Sequence, residues 1–326
     1  MTRGVLLFNL GGPETLQDVR PFLYNLFSDP EIIKIKSDLL RKSLAWLIAS
    51  IRQGKSRALY SQIGGGSPLR KFTEAQAEAL SNTLISRNMA ARVYVGMRCW
   101  KPTIDAAAGR ILRDEITQLV LLPLFPQYSG TTTGSCLKYF RALDARLGLS
   151  SKMAISAIES WFDEPLYIES MAELIEEGLQ AFSGTDREKI SLLYSAHSIP
   201  ASYVANGDPF LEQTKRSVAL INTKLGNRYR SRVTFQSKVG PVKWLGPSTK
   251  DVLIELGRNR EAGILAIPIS FVSDHIETLQ EIDIQYKNLA VQSGIKEFRR
   301  AASLNLRPKF IDALADLAIR GFAEFR

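Results

Sequence analysis

Eight short apolar runs recur along the chain with helical stretches between them, and this alternation limits the possible folds more than any other feature. They lie near residues 5–10, 92–97, 118–123, 153–157, 190–195, 232–235, 263–268 and 295–299. Runs this short and this uniformly apolar suit strands of a parallel sheet, because only a sheet covered by helices on both faces hides every side chain. Helical periodicity is clearest over 70–87, 164–182 and 309–322, where apolar residues return at three and four. At 326 residues the chain exceeds the size at which a single core usually stops growing. Four runs fall in each half, so the reading is α/β with two lobes, each on a four-stranded parallel sheet. The serine-rich stretch 147–152 sets a boundary near 150. An N-terminal lobe over 1–150, completed by the last helix at 305–326, is followed by a C-terminal lobe over 151–304.

The hydrophobic share is 45% and no polar low-complexity tract interrupts it, as in a folded chain. A net charge of +9 suits an anionic partner: nucleic acid, a membrane surface or acidic metabolites. No basic run with interleaved aromatics and no nucleic-acid motif accompanies that charge, which argues against nucleic acid. The glycine segments L-G-G-P at 10–13 and I-G-G-G-S-P at 63–68 match neither G-x-G-x-x-G nor G-x-x-x-x-G-K-[ST], so no nucleotide is expected. They read either as tight turns or as backbone cradles for an anion. Cys99 and Cys136 form no cluster, which points to a reducing compartment, and the apolar N-terminus meets a glycine turn too soon for a secretory signal. The cytoplasm is the expected location. No uninterrupted apolar run reaches the roughly 18 residues of a membrane span. Segment 38–57 mixes Leu39, Leu40, Leu44, Trp46, Leu47, Ile48 and Ile51 with five basic residues. It reads either as an interfacial helix on an anionic bilayer or as a surface helix packed on its own lobe.

In open α/β sheets, ligands bind at the carboxyl ends of the strands. That rule selects Gly11 to Pro13, Arg98 to Trp100, the loop 127–135, His197, the loop 236–247 and the segment 273–283, which two facing sheets would aim at one cleft. The chain has only two histidines, and both stand in these segments. Imidazole suits proton transfer near neutrality and metal ligation alike. Asp274, Glu277 and Glu281 are spaced i, i+3 and i+7, which stacks three carboxylates on one helix face. Such a stack needs a cation or protons among its members; the plainer alternative is an acidic helix start that answers the helix dipole. One imidazole and one carboxylate can hold a divalent ion loosely enough to release it, and either can take a proton. The loop Q-Y-S-G-T-T-T-G-S at 127–135 offers six hydroxyls before a helix. Trp244, in a loop between prolines, reads as a flat ligand wall or as a local core plug.

The segments S-A-H-S-I-P, S-K-V-G-P-V-K-W-L-G-P-S-T and F-V-S-D-H-I-E-T-L-Q-E-I-D together resemble the ferrochelatase family. N-L-G-G-P-E-T-L, I-G-G-G-S-P-L and P-Q-Y-S-G-T-T-T-G-S extend the resemblance, in the family's order, from Val5 to about Arg300. It implies two similar Rossmann-like lobes of the chelatase type, with a porphyrin in the cleft between them. The implied reaction is the last step of haem biosynthesis, insertion of Fe(II) into protoporphyrin IX with release of two pyrrole protons. Iron is then a substrate, and neither redox chemistry, nucleotide nor resident cofactor is implied.

Carried over residue by residue, the resemblance makes His197 the catalytic imidazole, as proton acceptor or metal ligand, and Glu277 the carboxylate opposite it. Glu281 and Asp283 continue an acidic line that guides metal or protons, so His197, Glu277, Glu281 and Asp283 form the implied metal set, supported by Asp274 and His275. Leu10, Tyr128, Pro200, Trp244 and Phe271 fall on implied pocket walls, with Tyr60, Ser67 and Arg98 among polar residues near the porphyrin. Animal members carry a cysteine-bearing C-terminal extension and a cluster ligand where Gly130 stands here; this sequence ends at Arg326 with neither, so no iron–sulfur cluster is expected. The expected partners are protoporphyrin IX, Fe(II) and an anionic membrane surface, for a cytoplasmic enzyme peripheral on the membrane. Two other readings compete: a chelatase acting on coproporphyrin III, and a non-catalytic tetrapyrrole or metal carrier of the same fold.

Overall fold

The computed structural model describes residues 1–238 and 242–325. All eight apolar runs become strands: β1 Arg3–Asn9, β2 Arg92–Met97, β3 Gln118–Pro123, β4 Ala154–Ala157, β5 Ile190–His197, β6 Ser231–Gln236, β7 Gly263–Pro268 and β8 Glu297–Arg300. They form two four-stranded sheets in the orders β2-β1-β3-β4 and β6-β5-β7-β8, so the same wiring is used twice. Every pairing is parallel. Parallel neighbours need a crossover, and the helices that supply it cover the faces. That is why the central strands β1 and β5 carry near-continuous apolar runs: Val5, Leu6, Leu7 and Phe8 are wholly buried, and Leu192, Leu193 and Tyr194 almost so. Each such side chain contributes about 1.5–3 kcal/mol of burial.

The chain divides into two compact units, 1–161 with 311–326, and 162–310. The division falls at Trp161 and not near 150, because β4 pairs with β3 and the chain stays with the first sheet beyond it. The Trp161 indole N–H donates to the Pro123 carbonyl at 2.8 Å and its backbone N–H to Pro126 at 2.9 Å. The last helix, Pro308–Ala323, belongs from Ile311 onward to the first unit. Arg87 grips Asp312 and Asp316 on it, and a Cβ on Gly321 would lie 2.7 Å from Val120 Cγ1 of β3. Arg326 lies outside the described residues.

Segment 38–57 lies in one α-helix, Asp38–Ser61, whose Ser37 cap accepts from the Leu40 N–H. Arg41, Ala45 and Ala49, four apart, form its buried face. Leu39, Leu40, Trp46, Leu47 and Ile51 stay exposed, Leu39 and Ile51 by more than 70%. The helix thus packs on its own unit through Arg41, Ala45, Ala49 and Tyr60, with Leu44 and Ile48 partly covered, while five of its large apolar side chains face outward. Among the described residues no helix is long and apolar enough to cross a membrane.

Candidate active site

β5 ends on His197, two residues beyond the end read from sequence, and β6 ends on Gln236; the parallel register sets these two side by side. β7 ends on Pro268, opposite Ser195, and the chain then runs into a wide, π-helical segment, Glu277–Tyr286. Bonding of i to i+5 adds a residue to each turn, so positions four and five apart, Glu277, Glu281 and Tyr286, share a face. His197 Nδ1 lies 2.9 Å from Glu277 Oε2. The Ser237 hydroxyl reaches Glu277 Oε2 at 2.8 Å and also lies against Glu281, while its backbone N–H donates to Glu281 Oε1 at 3.1 Å. Ser237 makes both contacts from a left-handed turn, φ 63°, uncommon for a residue other than glycine. The Gln236 amide spans both carboxylates, donating at 3.1 Å to Glu281 and 3.4 Å to Glu277. Carboxylates only accept, so the Gln236 carbonyl is turned to the Ser195 hydroxyl, which donates to it. Tyr286 Oη completes the shell, donating to Glu281 Oε1 at 2.9 Å.

These contacts divide the two histidines. Burial favours the neutral imidazole of His197, but the charge and hydrogen bond of Glu277, with the charge of Glu281, outweigh it and hold its pKa above the ordinary 6.5. In His275 burial wins, and the pKa falls below 6.5 despite Glu277, the Ser273 carbonyl and Asp274. His275 Nδ1–H donates to that carbonyl at 3.1 Å, which leaves Nε2 as an acceptor 3.9 Å from Glu277 Oε1. For Glu277 burial favours the acid, and His197, His275 and Ser237 overcome it, so its carboxyl sits well below the usual range. Burial and the neighbouring Glu277 charge push Glu281 up, against hydrogen bonds from Ser237 and Tyr286. Phe271 flanks both imidazoles, its ring centre 6.4 Å from that of His197 and 4.3 Å from that of His275.

The single stack of three carboxylates expected at 274, 277 and 281 is corrected. The helix begins too late to carry Asp274, whose carboxylate instead accepts from Thr278, Ser303 and Asn305 and pairs with Arg300 at 3.1 Å. Asp283 accepts from Arg300 Nε and Nη2, each at 2.9 Å. The acidic line is therefore two groups, Glu277 with Glu281 and Asp274 with Asp283, and the four implied metal ligands are not gathered at one point. Among the described residues no three His, Cys, Asp or Glu side chains converge as a metal cage. Pro200 and Trp244 meet in an antiparallel bridge, with Ala201 N–H on the Lys243 carbonyl at 2.8 Å and Leu245 N–H on that of Ile199 at 3.0 Å. Both residues, like Phe271, keep partial exposure at the same sheet end as His197. Val239, Gly240 and Pro241 of the expected loop lie outside the described residues.

In the first unit, Leu10, Ser67, Arg98 and Tyr128 are partly buried, and Tyr60 is buried at 6% exposure. The Arg98 guanidinium is committed to protein: Nε donates to Ser135 at 2.9 Å, Nη2 lies 3.3 Å from the enclosed Asp29, and the group sits 4.5 Å over the Tyr139 ring. Both glycine segments form turns, closely packed at Gly11 and Gly66 and open at Gly64. Gly11 has φ 87°, with a Cβ there 2.6 Å from Trp100 Cβ, and the Ser67 N–H donates to the Pro13 carbonyl at 2.7 Å. Sequence reasoning placed Gln236 and Ser237 in a strand-end loop without giving either a role, and overlooked Ser195 and Tyr286. Ending β6 at Phe235 hid the role of the loop pair, since only a strand running one residue further sets Gln236 beside His197.

The profile of the family described as Ferrochelatase matches residues 2–321. A ferrochelatase of Gloeothece citriformis is 49% identical over 322 residues, covering 98% of this chain and 83% of that protein. One of Gloeobacter violaceus is 47% identical over 323 residues, covering 99% and 98%. Among solved structures, SirB from Bacillus subtilis with Fe3+ superposes with a TM-score of 0.55 at 12% identity, over 98% of this chain and 95% of that one, a likeness of fold alone.

Proposed function

The chain belongs to the ferrochelatase family, and from that premise we propose that the chemistry of chelation rests on His197 and Glu277. The activity is that of a protohaem ferro-lyase: Fe(II) enters protoporphyrin IX, two pyrrole protons leave, and no electron changes hands. In neutral His197 the Nδ1–H is held by Glu277, so Nε2 carries the free lone pair that takes a pyrrole proton. The adjacent carboxylate then balances the imidazolium. Glu281, on the same helix face, extends the acidic side along which the metal ion arrives; imidazole and carboxylate oxygen both suit Fe(II) without trapping it. A planar porphyrin keeps its nitrogen lone pairs in the ring plane, so a grip that bends it favours metallation. Phe271, Trp244 and Pro200 supply apolar surface at the same sheet end as His197 for that grip.

No resident cofactor is invoked. Two cysteines cannot furnish the four thiolates of an iron–sulfur cluster, and burial pushes the Cys99 thiol up to about 12. The outward Leu39, Leu40, Trp46, Leu47 and Ile51, with the exposed Lys34, Lys36 and Lys55 in the same stretch of chain, support peripheral contact with an anionic membrane.

One observation carries the chemical reading: the 2.9 Å contact of a basic imidazole with a partly buried carboxylate. It is tested by anaerobic insertion of Fe(II) or Zn(II) into protoporphyrin IX, followed by absorbance. His197→Ala and Glu277→Gln are each expected to lose roughly 10²–10⁴-fold in turnover. Full turnover by His197→Ala would remove the base assignment. Faster insertion into coproporphyrin III would name the other porphyrin as substrate, and porphyrin binding without insertion by the wild type would favour the carrier.

A further inference from the structure

The wide helix that carries Glu277 and Glu281 is held from outside by one guanidinium. Arg300 ends β8, its side chain 10% exposed. Its Nε and Nη2 make a two-pronged contact with Asp283, 2.9 Å on each prong, inside the wide helix. Its Nη1 lies 3.1 Å from Asp274, in the turn that leads into that helix, and donates to the Ala301 carbonyl at 3.2 Å. Asp274 is fixed a second time: its N–H donates to Asn305 Oδ1 at 3.0 Å, and Asn305 Nδ2 and Ser303 Oγ donate back to its carboxylate at 2.9 and 2.8 Å. Thr278, one residue past Glu277, donates to the same carboxylate at 3.0 Å. Asp274 and Asp283 thus bracket Glu277 and Glu281 in sequence, and a single rigid cation pins both brackets to the end of β8.

An i to i+5 helix is rare, and reversion to the commoner i to i+4 form would carry Tyr286 off the face of Glu277 and Glu281 and break its hydrogen bond to Glu281. A planar fork pre-shaped for a carboxylate can oppose that change where a flexible ammonium does so poorly. We propose that Arg300 is a positioning residue for iron, which through Asp274 and Asp283 keeps the wide helix in the register that sets Tyr286 on the face of Glu277 and Glu281 and so fixes the Glu281 carboxylate. Asp283 then acts as the anchor of that clamp and not as a metal ligand. The inference rests on the reading of Glu277 and Glu281 as the iron-facing carboxylates.

The test separates metal from porphyrin. In the full-length protein, initial rates of Fe(II) insertion are measured against each substrate for Arg300→Gln, Arg300→Lys and Asp283→Asn, with porphyrin affinity measured independently by fluorescence quenching. The expected result for Arg300→Gln is a KM for Fe(II) raised roughly 10- to 100-fold, the range for lost outer-shell partners of metal-handling groups, with porphyrin affinity within about twofold of wild type. Arg300→Lys recovers only part of the loss, and Asp283→Asn moves the Fe(II) KM in the same direction. An unchanged Fe(II) KM in Arg300→Gln, or equal weakening of iron and porphyrin, overturns the proposal. If Arg300→Gln does not fold, Asp283→Asn decides alone, because it keeps side-chain size and one hydrogen-bonding oxygen. Glu277→Gln distinguishes the two levels: if it retains full turnover, the underlying reading fails; if it is inactive while Arg300→Gln and Asp283→Asn match wild type, only the clamp fails.

Discussion

His197 and His275 are the only imidazoles in the chain, and their surroundings push them in opposite directions. A proton NMR titration should therefore resolve two ring signals, one moving above pH 6.5 and one below it. Glu277→Gln removes the charge and hydrogen bond that raise His197, so its signal should titrate at lower pH than in wild type; an unmoved signal would detach the imidazole from the carboxylate. The sign for stability follows from the same pair. A raised His197 pKa gives a contribution complete below about 6.5 and lost as pH climbs through the folded value, whereas the lowered Glu277 pKa gives one present above about 4.5 and lost on acidification. The pair should stabilise most between those limits. His197 and Glu277 were legible in sequence through scarcity of histidine and the run of acids. Gln236 and Ser237 were not, because a glutamine and a serine after a strand carry no signal until the register of β5 and β6 is known.

At the scale of elements, the central strands were the most readable, because burial on both faces leaves few polar residues to break the run. The wide helix was not. Glu277 and Glu281 are spaced as well for an ordinary helix as for one with an added residue per turn, and it is Tyr286, five residues beyond Glu281 and bonded to it, that distinguishes the two. The turn at Gly11 shows what an element boundary costs to alter. A methyl there must accept both φ 87° and a 2.6 Å approach to Trp100, so Gly11→Ala should destabilise the protein by about 1–3 kcal/mol, read as a lower denaturant midpoint. An unchanged midpoint would mean that the loop relaxes freely away from Trp100.

For the whole molecule, the outward apolar stripe of the helix Asp38–Ser61 and the +9 charge make a joint prediction. The protein should sediment with anionic vesicles at low salt and less so at high salt, where screening shortens to a few ångströms. Replacing Leu40, Leu47 and Ile51 by serine should weaken binding roughly 10-fold or more, given about 1.5–3 kcal/mol for each large side chain fully buried. Equal binding by the triple variant would leave charge as the sole cause, and no sedimentation with any vesicle would end the membrane reading. The sequence placed this helix but could not say which of its faces is covered, since Ala45 and Ala49 reveal their packing only in three dimensions. One consequence of the chain path concerns synthesis. The helix Pro308–Ala323 belongs from Ile311 onward to the unit that begins at Met1, with Gly321 seated on Val120 and Arg87 clasping Asp312 and Asp316. As the polypeptide leaves the ribosome, the first sheet is made early yet stays unfinished until nearly every other residue has been translated. The part started first is the part completed last, and a nascent chain halted before Ile311 would expose the Val120 face.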